Sequence, residues 1–374
     1  MPNAISEQGP RAGAPLIVVY VSGHGFGHAM RMGCVLHRVH ELAPDARIVV
    51  RGAAPPWAYP SITDVVELQT DVGVLQKDSL STSVDETIIC AAAFERTRPA
   101  LVASECAALR ESAPAIVVGD IPPLAFDVGA GLGVPTIALG NFAWDWIYAN
   151  LGSSLPEVSE IVSSIRRSEQ RAHLLLRLPL HAEMSAFPLV EDVPFIARVS
   201  RVERDTVRRA LGIPLERPVA LLSFGGFDLP RLDLRAFART PEITFVTTLT
   251  SPAELPPNMV CCDPDVRHYE TIIAACDVAI VKPGYGIISD CIANRVPMIF
   301  ATRPSFPEEQ SLIEGLQKLA PATFISHDEL FSGDVATAIG RVIEDNSSWQ
   351  PVRLDGADVV AHRVLDIAGA EPQA

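Results

Sequence analysis

The sequence predicts an α/β protein of two successive domains, each a parallel sheet with helices on both faces. Three observations carry this. Short apolar runs alternate with segments of helical period, which calls for parallel strands joined by crossover helices. The alternation occurs twice, on either side of a changeover at Val193 to Ser200. The chain has 374 residues, a length that suits two domains at roughly 100–200 residues each.

The first series opens with Leu16 to Val21, a run of β-formers that ends on Ser22-Gly23-His24-Gly25-Phe26-Gly27-His28. Met32, Leu36, Val39 and Leu42 then recur at three or four residues, so a helix follows the glycine-rich turn. Ala46 to Arg51 reads as a second strand and Ile88 to Arg110 as a helix. Ala115 to Val118 reads as a buried strand ending at Gly119-Asp120. Ile121 to Leu132 reads as a helix, and Val134 to Leu139 as the next strand. In the second series Val202 to Leu211 reads as a helix, and Val219 to Ser223 as a strand meeting Phe224-Gly225-Gly226. Ile243 to Leu249 and Met259 to Cys262 are short strands. Val278 to Val281 is another, ending at Lys282-Pro283-Gly284-Tyr285-Gly286. Ile287 to Asn294 completes the pattern as a helix, with Pro297 to Ala301 the next strand. The expected domains are residues 16–197 and 198–374, after a flexible lead-in at 1–15, with the last helix able to pack back on the first domain.

Composition narrows the function. Hydrophobic residues make up 48% and aromatic residues 6%, so the cores are aliphatic. A net charge of −15 is the wrong sign for tracking phosphate backbones or anionic lipid, so no nucleic-acid partner is expected. The seven cysteines form no CxxC pair and are odd in number, which points to reduced thiols and a cytoplasmic setting. The first residues lack the apolar core of a signal peptide, and no apolar run approaches the roughly 20 residues that span a bilayer.

Ligands of open parallel sheets bind beyond the carboxyl ends of the strands, where every glycine-rich turn named above lies. Glycine there lets a ligand approach the backbone, and helix N-terminal N–H groups can face an anion. The first turn is not G-x-G-x-x-G, and no acid ends a second strand where a nicotinamide ribose would need one. His24 and His28 are candidates for proton transfer, because imidazole titrates near neutral pH. Asp120, at another strand end, can orient an imidazole and balance its charge, or can cap the following helix. Arg198, at the domain junction, is a candidate phosphate contact or a surface arginine. Asp263-Pro264-Asp265 has the form of a metal-binding D-x-D, but lies too far from the expected phosphate loop, and no metal is expected. Trp144, Trp146 and Tyr148 can stack on an acceptor or pack in the core.

The histidine-bearing turn, the stretch from Val117 to Asp120 and on through Val134-Pro135, and the C-terminal glycine-rich region resemble three motif regions of GT-B glycosyltransferases. These are the UDP-glycosyltransferases and lipid-II GlcNAc transferases, whose two Rossmann-like domains face a central cleft. Gly23-His24-Gly25-Phe26-Gly27-His28-Ala29 and Asn141-Phe142-Ala143-Trp144-Asp145-Trp146-Ile147-Tyr148 are more similar still to the glycosyltransferase-like N-terminal domain of L-arabinokinases. The resemblance implies that His28 takes a proton from the acceptor and that Asp120 orients it. It implies that Gly225-Gly226 faces a donor diphosphate and that the run from Gly284 through Tyr285 and Gly286 to Asp290 is a donor signature. In that signature the acid, here Asp290 where Glu is usual, binds the ribose hydroxyls. Glu309-Gln310 resembles the pair that holds sugar hydroxyls, and Lys282 stands where His or Arg commonly lies near the phosphates. The expected activity is metal-independent, inverting transfer from a nucleotide sugar, by analogy a UDP-sugar, to a hydroxyl or amine acceptor, with no cofactor. A sugar-nucleotide 2-epimerase and a non-catalytic nucleotide-sugar-binding protein are the alternatives.

Overall fold

A computed structural model describes residues 14–225, 229–248, 255–262, 268–303, 305–345 and 349–370. The N-terminal half runs β1 (Leu16–Val21), α1 (Phe26–Leu42), β2 (Arg47–Gly52), β3 (Asp64–Glu67), a β4–β5 hairpin (Gln76–Asp78, Ser81–Thr82) and α2 (Val84–Leu109). It continues with β6 (Ile116–Asp120), α3 (Pro123–Leu132), β7 (Thr136–Gly140), α4 (Trp144–Asn150), α5 (Glu157–Glu169), β8 (Leu174–Arg177) and β9 (Val190–Asp192). The C-terminal half runs α6 (Arg204–Ala210), β10 (Val219–Ser223), β11 (Thr244–Thr247), β12 (Met259–Cys261), α7 (Tyr269–Ala275), β13 (Val278–Val281) and α8 (Tyr285–Ala293). It closes with β14 (Met298–Phe300), α9 (Glu308–Leu319), β15 (Ala322–Phe324), α10 (His327–Ser332), α11 (Ala336–Glu344) and α12 (Gly356–Ala368).

Two parallel sheets result. The first has the order β3-β2-β1-β6-β7-β8-β9 and the second β12-β11-β10-β13-β14-β15. Each reverses direction of growth once, between β1 and β6 and between β10 and β13, and these are the crevices where open sheets bind ligands. Alternation along β1 splits its side chains between two layers. Ile17, Val19 and Val21 join the core that holds Met32, Val35 and Leu36 of α1. Leu16, Val18 and Tyr20 face Leu124, Phe126 and Val128 of α3. Burial on both faces explains why these strands read as unbroken apolar runs.

Both glycine-rich turns are shorter than the sequence suggests. Helix α1 already starts at Phe26 and α8 at Tyr285, so His28 and Tyr285 lie in first helical turns. Gly25, the residue before α1, has φ +72°, a left-handed conformation that glycine adopts without strain. The chain's last helix, α12, seats on α1, where Arg38 Nε donates to Asp358 Oδ1 at 2.6 Å. A Cβ on Gly356 would stand 2.3 Å from the Pro194 carbonyl oxygen, so only glycine lets this helix enter beside the segment that joins the two halves. All seven cysteines are free thiols.

Candidate functional site

The register of the first sheet fixes the site. Val21, the last residue of β1, pairs with Asp120, the last of β6, so the histidine turn and Asp120 emerge side by side at the switch point. His28, one turn into α1, directs Nδ1 to Asp120 Oδ1 at 2.9 Å. Both side chains are buried, Asp120 fully. Burial pushes the Asp120 pKa up, but Arg31 and His28 outweigh it and hold the carboxyl below its ordinary range. An ionised carboxylate can only accept, so the proton of this bond sits on Nδ1. In the neutral ring this leaves the lone pair on Nε2, at the opposite ring edge, and His28 lines a cleft cavity of about 510 Å³. Ile121, directly after Asp120, is held at φ +60°, a strained state for a β-branched residue, of the kind that costs about 1–3 kcal/mol.

His24 is held differently. The Val74 N–H donates to its Nδ1 at 3.2 Å, which places the proton of the neutral ring on Nε2. Burial, then the charges of His28, Arg303 and Lys282, push its pKa well below the ordinary histidine value. The His24 ring stacks on Phe306 at 5.5 Å and meets Trp144 edge-on at 5.6 Å. A neutral Nε2–H imidazole can donate into the cavity but has no lone pair left to accept a proton. Trp144 and Tyr148 are buried and stacked on each other at 5.7 Å, and the Trp144 indole N–H donates to Asp71 Oδ2 at 2.9 Å.

Across the cleft the second switch point repeats the plan. Gly225 follows β10 and Lys282 follows β13, and a Cβ on Gly225 would lie 3.2 Å from Lys282 Cε. Gly225 has φ +78°. Burial first, and then the Arg303 charge, push the Lys282 pKa down to about 7. Gly284, Tyr285 and Gly286 line the same cavity at the start of α8, and a Cβ on Gly286 would come within 3.9 Å of Gly27 Cα in the opposite domain. Gly226 and the Asp263-Pro264-Asp265 run lie outside the described residues.

Four donor-side candidates, Asp290, Arg198, Glu309 and Gln310, are bonded to other protein side chains or backbone. Asp290 lines the cavity, but Arg198 occupies its carboxylate: the Arg198 N–H donates to Oδ1 at 2.8 Å, and Nε and Nη2 to Oδ2 at 2.9 and 2.6 Å. Burial nonetheless outweighs Arg198 and raises the Asp290 pKa. Arg198 is therefore neither a bare surface arginine nor turned wholly to the cavity. Glu309 accepts the Arg303 backbone N–H at 2.7 Å, which fixes the turn before α9, while its neighbour Glu308 lines the cavity. Gln310 points away from the cavity, exposed, and donates to Glu314 at 2.9 Å.

Sequence reasoning missed Arg31, Asp71, Arg303, Phe306 and Glu308. Arg31 is the closest to the chemistry. Its Nε donates to Asp120 Oδ2 at 2.8 Å, Nη2 reaches Asp120 Oδ1, and Nη1 donates to Asn141 Oδ1 at 3.0 Å. Asn141 in turn donates to Glu308 Oε1 at 2.7 Å across the cleft. The signal for Arg31 was its place three residues after His28, on the same helical face. Among the described residues no three His, Cys, Asp or Glu side chains cluster as metal ligands, and no helix is long and apolar enough to cross a membrane.

Two parallel-sheet domains with ligand edges facing one cleft are the GT-B architecture of glycosyltransferases, and solved structures similar to this chain share it. The calicheamicin glycosyltransferase CalG4 superposes with a TM-score of 0.61 at 16% identity, covering 96% of each chain. A UDP-glucose:anthocyanidin 3-O-glucosyltransferase in complex with UDP gives 0.59 at 13% identity, over 96% of this chain and 94% of that one. In sequence, the chain is 29% identical to L-arabinokinase of Arabidopsis thaliana over 362 residues, 93% of this chain. It spans only 34% of that protein's length. No family model matches the sequence.

Proposed function

We propose that the protein transfers a glycosyl group from a nucleoside-diphosphate sugar, a UDP-sugar in particular, to a hydroxyl or amine acceptor with inversion at the anomeric carbon and without a metal. One observation carries the reading: His28, at the wall of an interdomain cavity, turns Nδ1 onto the buried carboxylate of Asp120, an arrangement that in the neutral ring leaves Nε2 to accept a proton. The acceptor O–H or N–H gives its proton to Nε2 as its heteroatom bonds to the anomeric carbon. The bond from that carbon to the diphosphate oxygen breaks, and the nucleoside diphosphate departs with the electron pair. Lys282 and the N–H groups at the start of α8 are suited to the charge that develops on the leaving oxygen. The UDP complex of the anthocyanidin glucosyltransferase supports a uridine donor by likeness of fold.

The test has two parts. Calorimetry with UDP, dTDP and GDP reads which nucleoside the cleft takes. Mass spectrometry of donor incubations, with and without pooled small-molecule acceptors, then separates transfer, epimerisation and inert binding. A new glycoside of opposite anomeric configuration to the donor is the expected product. Binding without any product from a broad acceptor pool would favour a binding protein, and failure to bind any nucleoside diphosphate would end the donor reading.

A further inference from the structure

The pairing of His28 with Asp120 leaves a problem of charge that Arg31 answers. A buried carboxylate in contact with an imidazole draws a proton onto the ring, because an uncompensated buried charge is costly. A ring that is already imidazolium cannot accept a proton from an acceptor. Arg31 meets both oxygens of Asp120 and stands 3.0 Å from His28 Nδ1. Resting on the reading of His28 as the base, we propose that Arg31 is a positioning residue that supplies Asp120 with a permanent counter-charge, so that Asp120 orients His28 without holding it in the protonated form.

The surroundings fit this role. Arg31 is 5% exposed, and although burial opposes its charge, Asp120 more than restores it and raises the guanidinium pKa. Its position is fixed from three sides: Asp120 at the end of β6, Asn141 after β7, and the Tyr285 ring of α8, 5.5 Å from the guanidinium carbon. The other ionisable groups facing the pair are His24 with its ring 6.4 Å away, Asp71 near His28, Tyr59 near Asp120, and Glu308 behind Asn141. Of these His24 and Tyr59 are held neutral, by burial above all, so Arg31 is the fixed cation against Asp120. The bidentate fork also stops the carboxylate from rotating away from Nδ1, a geometry lysine cannot reproduce.

Histidine-selective ¹⁵N NMR of the full chain tests the proposal without any ligand, so its outcome is independent of whether UDP binds. A His28→Gln sample assigns the signal. In the unmodified protein His28 should show the Nδ1–H tautomer with a bare Nε2. Arg31→Met should at least double the imidazolium fraction of His28 at a fixed pH of 7, and the Arg31→Met/Asp120→Asn double variant should bring it back down. Arg31→Gln keeps donors without charge and carries the same expectation if methionine is not tolerated. Arg31→Lys should keep the neutral ring while broadening its signal, through loss of the fork. An unchanged protonation state in Arg31→Met and Arg31→Gln, with the fold intact by circular dichroism, overturns the proposal.

Discussion

If a diphosphate docks between Gly225 and α8, its arrival should drive a proton onto Lys282. The Lys282 pKa lies at about 7, against roughly 10.4 for a free lysine, because burial and Arg303 disfavour its charged form. At pH 7 the side chain is then about half charged, and at pH 8 about one-tenth charged, from the titration relation alone. A bound diphosphate favours the charged form and lifts the pKa back. Binding should therefore take up about half a proton at pH 7 and about 0.9 at pH 8, by linkage. In the same range the affinity for UDP should fall with rising pH, at most about tenfold per unit. Titration calorimetry at pH 8 in buffers of different ionisation enthalpy measures this directly, since the terminal phosphate, with a pKa of about 6, is already deprotonated there. Lys282→Met should abolish the uptake and flatten the pH dependence. No uptake on UDP binding at pH 8, or uptake undiminished in Lys282→Met, would refute the reasoning.

Other expectations follow from the same contacts. His28→Ala should cut turnover about 10²–10⁴-fold while leaving UDP affinity within twofold, whereas His24→Gln should cost under tenfold; the reverse order in kcat would identify His24 as the base. Asp290→Ala should lower the melting temperature as well as UDP affinity, because it takes the nearer of two carboxylates from the partly buried Arg198 and leaves only Glu270 at 3.8 Å, a loss of up to about 3–5 kcal/mol; an unchanged melting curve contradicts this. Gly33→Ala should destabilise by about 1–3 kcal/mol in urea unfolding, since its Cβ would sit 2.3 Å from the backbone oxygen of Ala58. UDP affinity and turnover should survive EDTA, and recovery of lost turnover by magnesium or manganese would reverse the metal-independent reading.

Much of the plan was legible because it is local. Leu16 to Val21 and Val278 to Val281 are strands in full, since a strand buried on both faces writes itself as an apolar run. His28 and Asp120 could be brought together from sequence because strand ends share one edge of a parallel sheet. What stayed hidden depends on pairing over distance. Nothing near Asp290 announces that Arg198, 92 residues earlier, will take its carboxylate. Glu309 looks like a residue free to meet a sugar, yet it accepts the Arg303 N–H six residues back and stabilises a turn. Asp71 lies in an irregular stretch with no period to mark it, and only the fold brings it under Trp144. The short β3, β9 and β15 are edge strands, where too few residues are buried to leave a pattern.

Under the proposed transfer, the two switch points also explain why the base and the lysine suited to the leaving group come from different halves of the chain. A single sheet edge presents its loops in one direction, whereas two sheets facing each other bring groups to a bound ligand from two directions. Gly27 and Gly286 show how close the two edges come, because neither carries a side chain to hold them apart. The contacts that cross the gap are of two kinds. The shared core of α1, α8 and α12 is apolar and continuous, and α12 ties the end of the chain back onto α1. Around the cavity the ties include the polar and aromatic contacts of Asn141 to Glu308, Gln76 to Lys282 at 3.4 Å, and His24 on Phe306, while Leu80 and Phe306 are each buried in the opposite half's core. A hydrogen bond exchanged with water costs little net free energy, whereas apolar area does not come apart cheaply. The halves are therefore held as a unit along α1 and α12, and the ties that yield most easily are the hydrogen bonds at the cavity, Asn141 to Glu308 and Gln76 to Lys282.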